Sequence, residues 1–322
     1  MAPSPTSTTR PLSWPTWCSD VVNLPRVPKL PFPYSTPTVP DTVEALPAPR
    51  RLGAHYQTDW ARRYPARLAR VVFLEAVLRP AVAVLGAPER DGIDRLEGLT
   101  DGPVIFAPNH HSHLDTPTML TSIPEPWRYK IFVGAAADYF FRTHLSAAAS
   151  ALALGAIPIE RSKVSRRSAD EAAALINEGW SMLIFPEGGR SPDGWGQPFR
   201  AGAAYLANRC SVPVVPVHLE GTAKILRKGQ RRPTPTHVRV TYGTPLRTED
   251  GESTTRFAER IERSVAELAD EATTNWWQSR QRAALGTTPS LSGPDAPAWR
   301  RAWALGDRSR KRRRQTRPWP KL

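Results

Sequence analysis

The chain has 322 residues, with 44 Lys and Arg against 30 Asp and Glu for a formal charge of +14, 34 prolines, 11 tryptophans and two cysteines. A 40% apolar content, a mean hydropathy of −0.42 and the lack of any run near the roughly 18 apolar residues of a spanning helix argue against an integral membrane protein. Cys18 and Cys210 cannot build a disulfide framework and form no C-x-x-C, which argues against metal ribbons and thioredoxin-like chemistry and makes a reducing cytosol the default.

The excess charge calls for an anionic partner: nucleic acid, a membrane surface or a phosphorylated substrate. Its distribution narrows the choice. Residues 300–322 hold ten basic and one acidic side chain, a local +9, and residues 1–50 hold four and three, a local +1. The stretch 51–299 carries thirty basic against 26 acidic residues, only +4. Most of the basicity is therefore a tail. Twelve prolines fall in the first fifty residues, mixed with Ser and Thr, so residues 1–55 read as a disordered Pro-rich leader without the apolar core of a secretory signal.

Residues 56–92 read as an N-terminal helical segment. Leu68, Val71, Val72, Val77 and Leu78 recur at helical spacing, interrupted by Arg67, Arg70, Glu75 and Arg79, with a stop or kink expected at Pro80. Two readings stay open: an ordinary helix packed on the core, or an interfacial helix dipping into one leaflet with its arginines at the headgroups. From residue 93 short apolar runs alternate with helical patterns. Residues 104–107, 131–133, 182–185 and 212–217 look like buried strands, and 237–242 alternates like a half-exposed one. Residues 170–178 read as a helix stopped by Gly179, and Phe257, Ile261, Val265 and Leu268 mark one face of a helix behind a Ser253/Thr254 start. This order predicts an α/β domain over 93–280 with a mixed sheet flanked by helices, closing near Trp277. Residues 281–322 read as a linker and a basic Trp/Arg tail.

The densest chemistry is residues 108–116, Pro-Asn-His-His-Ser-His-Leu-Asp-Thr, directly after a predicted strand. Strand ends followed by a loop are where α/β folds hold reactive side chains out toward substrate. In one reading His110 is a base and Asp115 its orienting carboxylate. On a regular helix the two would lie ~140° apart, so they meet only if His110 precedes the helix and Asp115 sits in its first turn. In the other, His111, His113 and Asp115 form a metal set close to the H-x-H-x-D-H pattern of metallo-β-lactamase-like hydrolases, with Thr116 in place of the last histidine and only His144, His218 and His237 left downstream.

A second motif, residues 185–191 (Phe-Pro-Glu-Gly-Gly-Arg-Ser), follows the 182–185 run. A glycine pair beside an arginine offers backbone N–H groups and a fork of donors suited to a phosphate or an oxyanion. Together with Asn109-His110-x4-Asp115 these residues resemble the glycerolipid acyltransferase family, whose best-known members are the 1-acyl-glycerol-3-phosphate (lysophosphatidic acid) acyltransferases. The blocks stand in family order: His110 to Asp115; residues 155–161, Gly-Ala-Ile-Pro-Ile-Glu-Arg; residues 185–191; and residues 212–217, Val-Pro-Val-Val-Pro-Val. Residues 199–202 and 242–246 match shorter family segments, so the resemblance covers about 90–265. Gly189 stands where the family usually has Thr, and leader and tail match nothing in it.

The resemblance implies a single acyltransferase domain that moves a fatty acyl group from acyl-CoA or acyl carrier protein to a hydroxyl of a lysophospholipid or glycerol phosphate, with no resident cofactor. His110 would be the general base and Asp115 its orienter. Arg161, Glu187, Gly188, Arg190 and Arg200 would serve the acceptor phosphate, Glu187 by orienting an arginine or the acceptor. It further implies direct transfer without an acyl-enzyme, at the cytoplasmic membrane face. The tail, with Trp299 and Trp303 set among arginines, reads as a plain solvated extension, an anchor on an anionic membrane surface, or a nucleic-acid-binding arm without an accompanying fold motif.

Overall fold

The computed structural model describes residues 52–99, 102–160, 166–191, 195–225 and 233–292. The expectations for leader residues 1–51, for Arg161 and for residues 293–322 of the tail lie outside the described residues, whereas residues 52–55, read as the end of the disordered leader, include a 3-10 turn at Gly53–His55 whose Gly53 N–H donates to the Phe141 carbonyl at 3.0 Å. All described residues belong to one compact unit that begins at Pro49.

After two short 3-10 turns, helix α1 (Tyr64–Phe73) passes through a π-helical turn at Leu74–Leu78 into α2 (Arg79–Gly86). The helix does not stop at Pro80, and the irregularity there is the π-turn. Pro80 sits at the start of α2 within a continuous helix, and the π-turn just before it shifts the hydrogen-bond register where Pro80 has no N–H to donate. Then follow β1 (Glu89–Asp91), β2 (Ile105–Pro108), α3 (Asp115–Ser122), β3 (Ile131–Ala136), α4 (Ala137–Phe140), α5 (His144–Leu154), β4 (Ala156–Ile159), α6 (Arg166–Asn177) and β5 (Ser181–Leu183). The chain continues with α7 (Gly202–Cys210), β6 (Val214–Glu220), α8 (Thr222–Ile225), β7 (Arg239–Tyr242), α9 (Thr254–Thr273) and α10 (Trp276–Leu285).

The seven strands form one sheet in the order β1-β7-β6-β2-β5-β3-β4. Five of them, β6 through β4, run parallel, while β7 pairs antiparallel with β6 and β1 runs with β7, so the sheet is mixed, as the strand pattern predicts. The central strands are buried on both faces. Ile105, Ala107, Met182 and Val214 pack under α6, α7 and α9, and Phe106, Leu183, Val215 and Val217 pack with α3 on the other side. Each large apolar side chain so buried contributes about 1.5–3 kcal/mol, which makes the middle of the sheet the rigid base for the loops above it.

Two boundaries differ from the sequence reading. The sheet starts before residue 93, because β1, a polar edge strand, pairs with β7 from Glu89 to Asp91. The fold also runs past Trp277 and residue 280. Asn275 caps α10 by accepting from Gln278 N–H, and the Leu291 carbonyl accepts from Gly196 N–H at 2.9 Å. Residues 281–292, read as linker, are thus packed against the body.

Candidate functional site

Because β2 lies between β5 and β6, the loops leaving the carboxyl ends of β2 and β5 meet. The β2–β6 ladder ends at Pro108 opposite Val217. Asn109 then extends it with its side chain: its amide donates to the Leu219 carbonyl at 3.0 Å and accepts from Leu219 N–H at 2.7 Å. This substitute rung holds the chain at the sheet edge for one more residue and sets the start of the His110 loop.

His110 lies before α3 and Asp115 opens it. Their side chains meet, with Nδ1 2.9 Å from Asp115 Oδ2. The same oxygen accepts from the backbone N–H groups of His111 at 2.7 Å and Ser112 at 2.8 Å, and Ser112 Oγ accepts from Leu114 N–H. Asp115 therefore closes the turn and aims the imidazole at once. It is fully buried, while His110 keeps 18% of its side chain exposed, its ring stacked on Phe185 at 4.1 Å and 27°. A carboxylate on one ring nitrogen fixes the tautomer and leaves Nε2 for an external partner.

The β5 loop holds the His110 backbone from both sides. Glu187, 1% exposed, accepts from His110 N–H through Oε1 at 2.7 Å, and Ser191 N–H donates to the His110 carbonyl at 2.9 Å. The other Glu187 oxygen accepts from Gln197 N–H at 2.9 Å. Both carboxylate oxygens thus accept from backbone donors, a role in holding the His110 loop that the sequence reading did not give Glu187. Burial pushes Glu187 up to about 7, with Asp115 and Glu262 adding to the rise and the two backbone donors opposing it.

Gly188 takes a left-handed φ of 68°, and its N–H donates to the Phe185 carbonyl. A Cβ at this position would stand 2.7 Å from Arg200 Nε, so the absent side chain is what lets the Arg200 guanidinium lie across the turn. Arg190 is half-buried beside the His110 loop, and its carbonyl accepts from the Gln197 side chain at 3.3 Å. His113 is lowered from its usual range chiefly by burial and then by the Arg190 and His110 charges. It stacks on Tyr139 at 5.5 Å and 25°. Arg190, Arg200, Gly188 and the His110–Asp115 pair therefore belong to one loop cluster, while Arg161 lies outside the described residues.

Among the described residues, His111, His113 and Asp115 do not gather into a metal-holding group. Asp115 Oδ2 takes three nitrogen partners, while its Oδ1 is buried without one among these residues. His218, on β6, is buried and pushed down to about 4, by burial first and by His111 second. Sequence reasoning missed Gln197 and the Phe185 stack under His110.

With this geometry the comparisons with known proteins agree. Residues 90–220 match the family model described as Acyltransferase. This stretch is similar to the acyltransferase family. The resemblance drawn from the four motifs is thereby borne out. The chain is 35% identical over 142 residues to the chloroplastic 1-acyl-sn-glycerol-3-phosphate acyltransferase BAT2 of Brassica napus, covering 42% of this chain and 39% of that one. It is 27% identical over 181 residues to the 1-acyl-sn-glycerol-3-phosphate acyltransferase alpha of Homo sapiens, 54% of this chain and 61% of that one. The chain thus spans less than two thirds of either relative. The crystal structure of PlsC, the 1-acyl-sn-glycerophosphate (LPA) acyltransferase of Thermotoga maritima, superposes with a TM-score of 0.53 at 22% identity over 69% of this chain and 85% of that one. The described domain shares that fold.

Proposed function

We propose that the chain transfers a fatty acyl group from a thioester, acyl-CoA or acyl carrier protein, to the free hydroxyl of a 1-acyl-glycerol-3-phosphate-like acceptor. The observation that carries this reading is the His110–Asp115 pair at 2.9 Å, with the His110 backbone gripped on both sides by the loop that also bears Arg190. His110 Nε2 takes the hydroxyl proton as the oxygen attacks the thioester carbonyl carbon. The C–S bond then breaks, and the proton passes from His110 to the departing thiolate. General base catalysis of this kind contributes ~10² to 10⁴-fold. Asp115 holds the tautomer and stabilises the positive ring that forms. Arg190 and Arg200, joined by Arg161, bind the acceptor phosphate, where a guanidinium fork matches the oxyanion geometry.

A lysolipid acceptor carries its acyl chain in the membrane, and the α1–α2 helix supports docking there. Tyr64, Leu68, Val72, Val77 and Val84 are exposed along it, with Leu68 and Val72 at 51% and 57%, and exposed Arg63 and Arg79 flank the stripe. Among the described residues no helix is long and apolar enough to cross a membrane. An apolar outer face with arginines at headgroup level lies in one leaflet instead.

The test offers the full chain a thioester donor and a panel of lyso-acceptors with and without a phosphate monoester. Mass analysis should find new diacyl product with lysophosphatidate and little with acceptors lacking the phosphate. Equal use of acceptors without phosphate would remove the role given to the arginines.

A further inference from the structure

Beneath the α1–α2 helix lies a cavity of about 10 Å³. Its walls are apolar (Val71, Leu74, Leu120, Ile131, Leu154) except for two arginines and Tyr129. Arg70 is only 7% exposed, and neither Nη1 nor Nη2 has a hydrogen-bond partner. Its guanidinium lies against the left-handed Gly155 that ends α5, where a Cβ would collide with Nη1, and over the Trp180 ring at 5.9 Å. Arg128, 8% exposed, donates through Nε to the Ile123 carbonyl. Its Nη1 is 3.9 Å from Glu75 and 3.8 Å from Glu125, so its charge is partly compensated.

Arg70 has no such partner. Burial first, and then the neighbouring cations Arg67 and Arg62, lower it to about 10. A buried charge without a counter-charge is expensive, and a buried guanidinium leaves several donors to satisfy. The negative end of the α5 helix offsets only part of this. We propose that the cavity is a binding site for one monatomic anion, chloride under ordinary conditions, held by the free donors of Arg70 with Arg128 as the second cation. The space is on the order of one small particle, which favours a monatomic ion over a phosphate or carboxylate. The bound ion fixes α1 with Arg70 inward and Leu68 and Val72 outward, the orientation in which the exposed stripe faces away from the domain.

Thermal unfolding of the full chain at constant ionic strength, with chloride replacing the larger gluconate, reads the site without reference to acyl transfer. The midpoint should rise by about 3 °C or more and saturate with chloride, and Arg70→Met should abolish the saturable response. Because that variant could fail to fold, bromide-soaked crystals of the wild-type protein give a second readout: an anomalous peak should stand at hydrogen-bonding distance from the Arg70 Nη atoms. Equal midpoints in the two salts, or a cavity whose density shows water without an anomalous peak, would overturn the proposal.

Discussion

Glu187→Gln isolates the clamp that holds His110. The Glu187 oxygens accept from two buried backbone donors, His110 N–H at 2.7 Å and Gln197 N–H at 2.9 Å. An amide keeps one acceptor and turns an NH2 group toward the other N–H, so one buried donor faces another donor. A buried unsatisfied N–H costs about 1–3 kcal/mol, and a shift of a catalytic group by about 1 Å can cost ~10²-fold in rate. We expect kcat to fall by about 100-fold with the donor KM little changed. The substitution also removes a titration. Glu187 is pushed up from 4.5 to about 7 in the fold, chiefly by burial. A carboxyl raised on folding binds its proton more tightly in the native state. Its contribution to stability is complete below the unfolded value and is lost as pH rises through about 7. The span is on the order of 3 kcal/mol. Urea denaturation of the wild type between pH 4.5 and 8 should therefore show a decline in stability that Glu187→Gln flattens. Parallel stability profiles together with an unchanged kcat would refute the clamp.

Asp115→Asn preserves size but places an NH2 group or a single acceptor where one oxygen now takes three nitrogen partners, so steady-state kinetics should show kcat lowered ~10² to 10⁴-fold. Gly188→Ala forces a side chain at φ 68° into the Arg200 guanidinium; the acceptor KM should rise while the protein loses about 1 kcal/mol of stability, measured by denaturant titration. Replacing Leu68 and Val72 together by Asp should weaken flotation with anionic vesicles and leave the thermal midpoint within a few degrees, since both side chains face solvent.

What could be read from the sequence followed from burial. The runs that became β2, β3 and β6 announced themselves because strands covered on both faces are apolar throughout. β1 gave no such signal: Glu89, Arg90 and Asp91 form a strand only because β7 offers them an edge. The π-turn that carries the helix through Pro80 was invisible for a similar reason, since it lies in a hydrogen-bond register and not in a residue type. His110 and Asp115 were legible from their spacing and their place after a strand. The role of Glu187 was not, because its partners are backbone N–H groups 77 and 10 positions away, which no side-chain pattern encodes. Likewise residues 286–292 have linker composition, yet Leu291 packs on Gly196.

Thiol release from acyl-CoA in the presence of lysophosphatidate, followed for the wild type and His110→Ala side by side, tests the central claim most directly. The wild type should show acceptor-dependent release and the variant a loss of at least ~10²-fold, with both proteins equally folded by circular dichroism. Full activity in His110→Ala would contradict it.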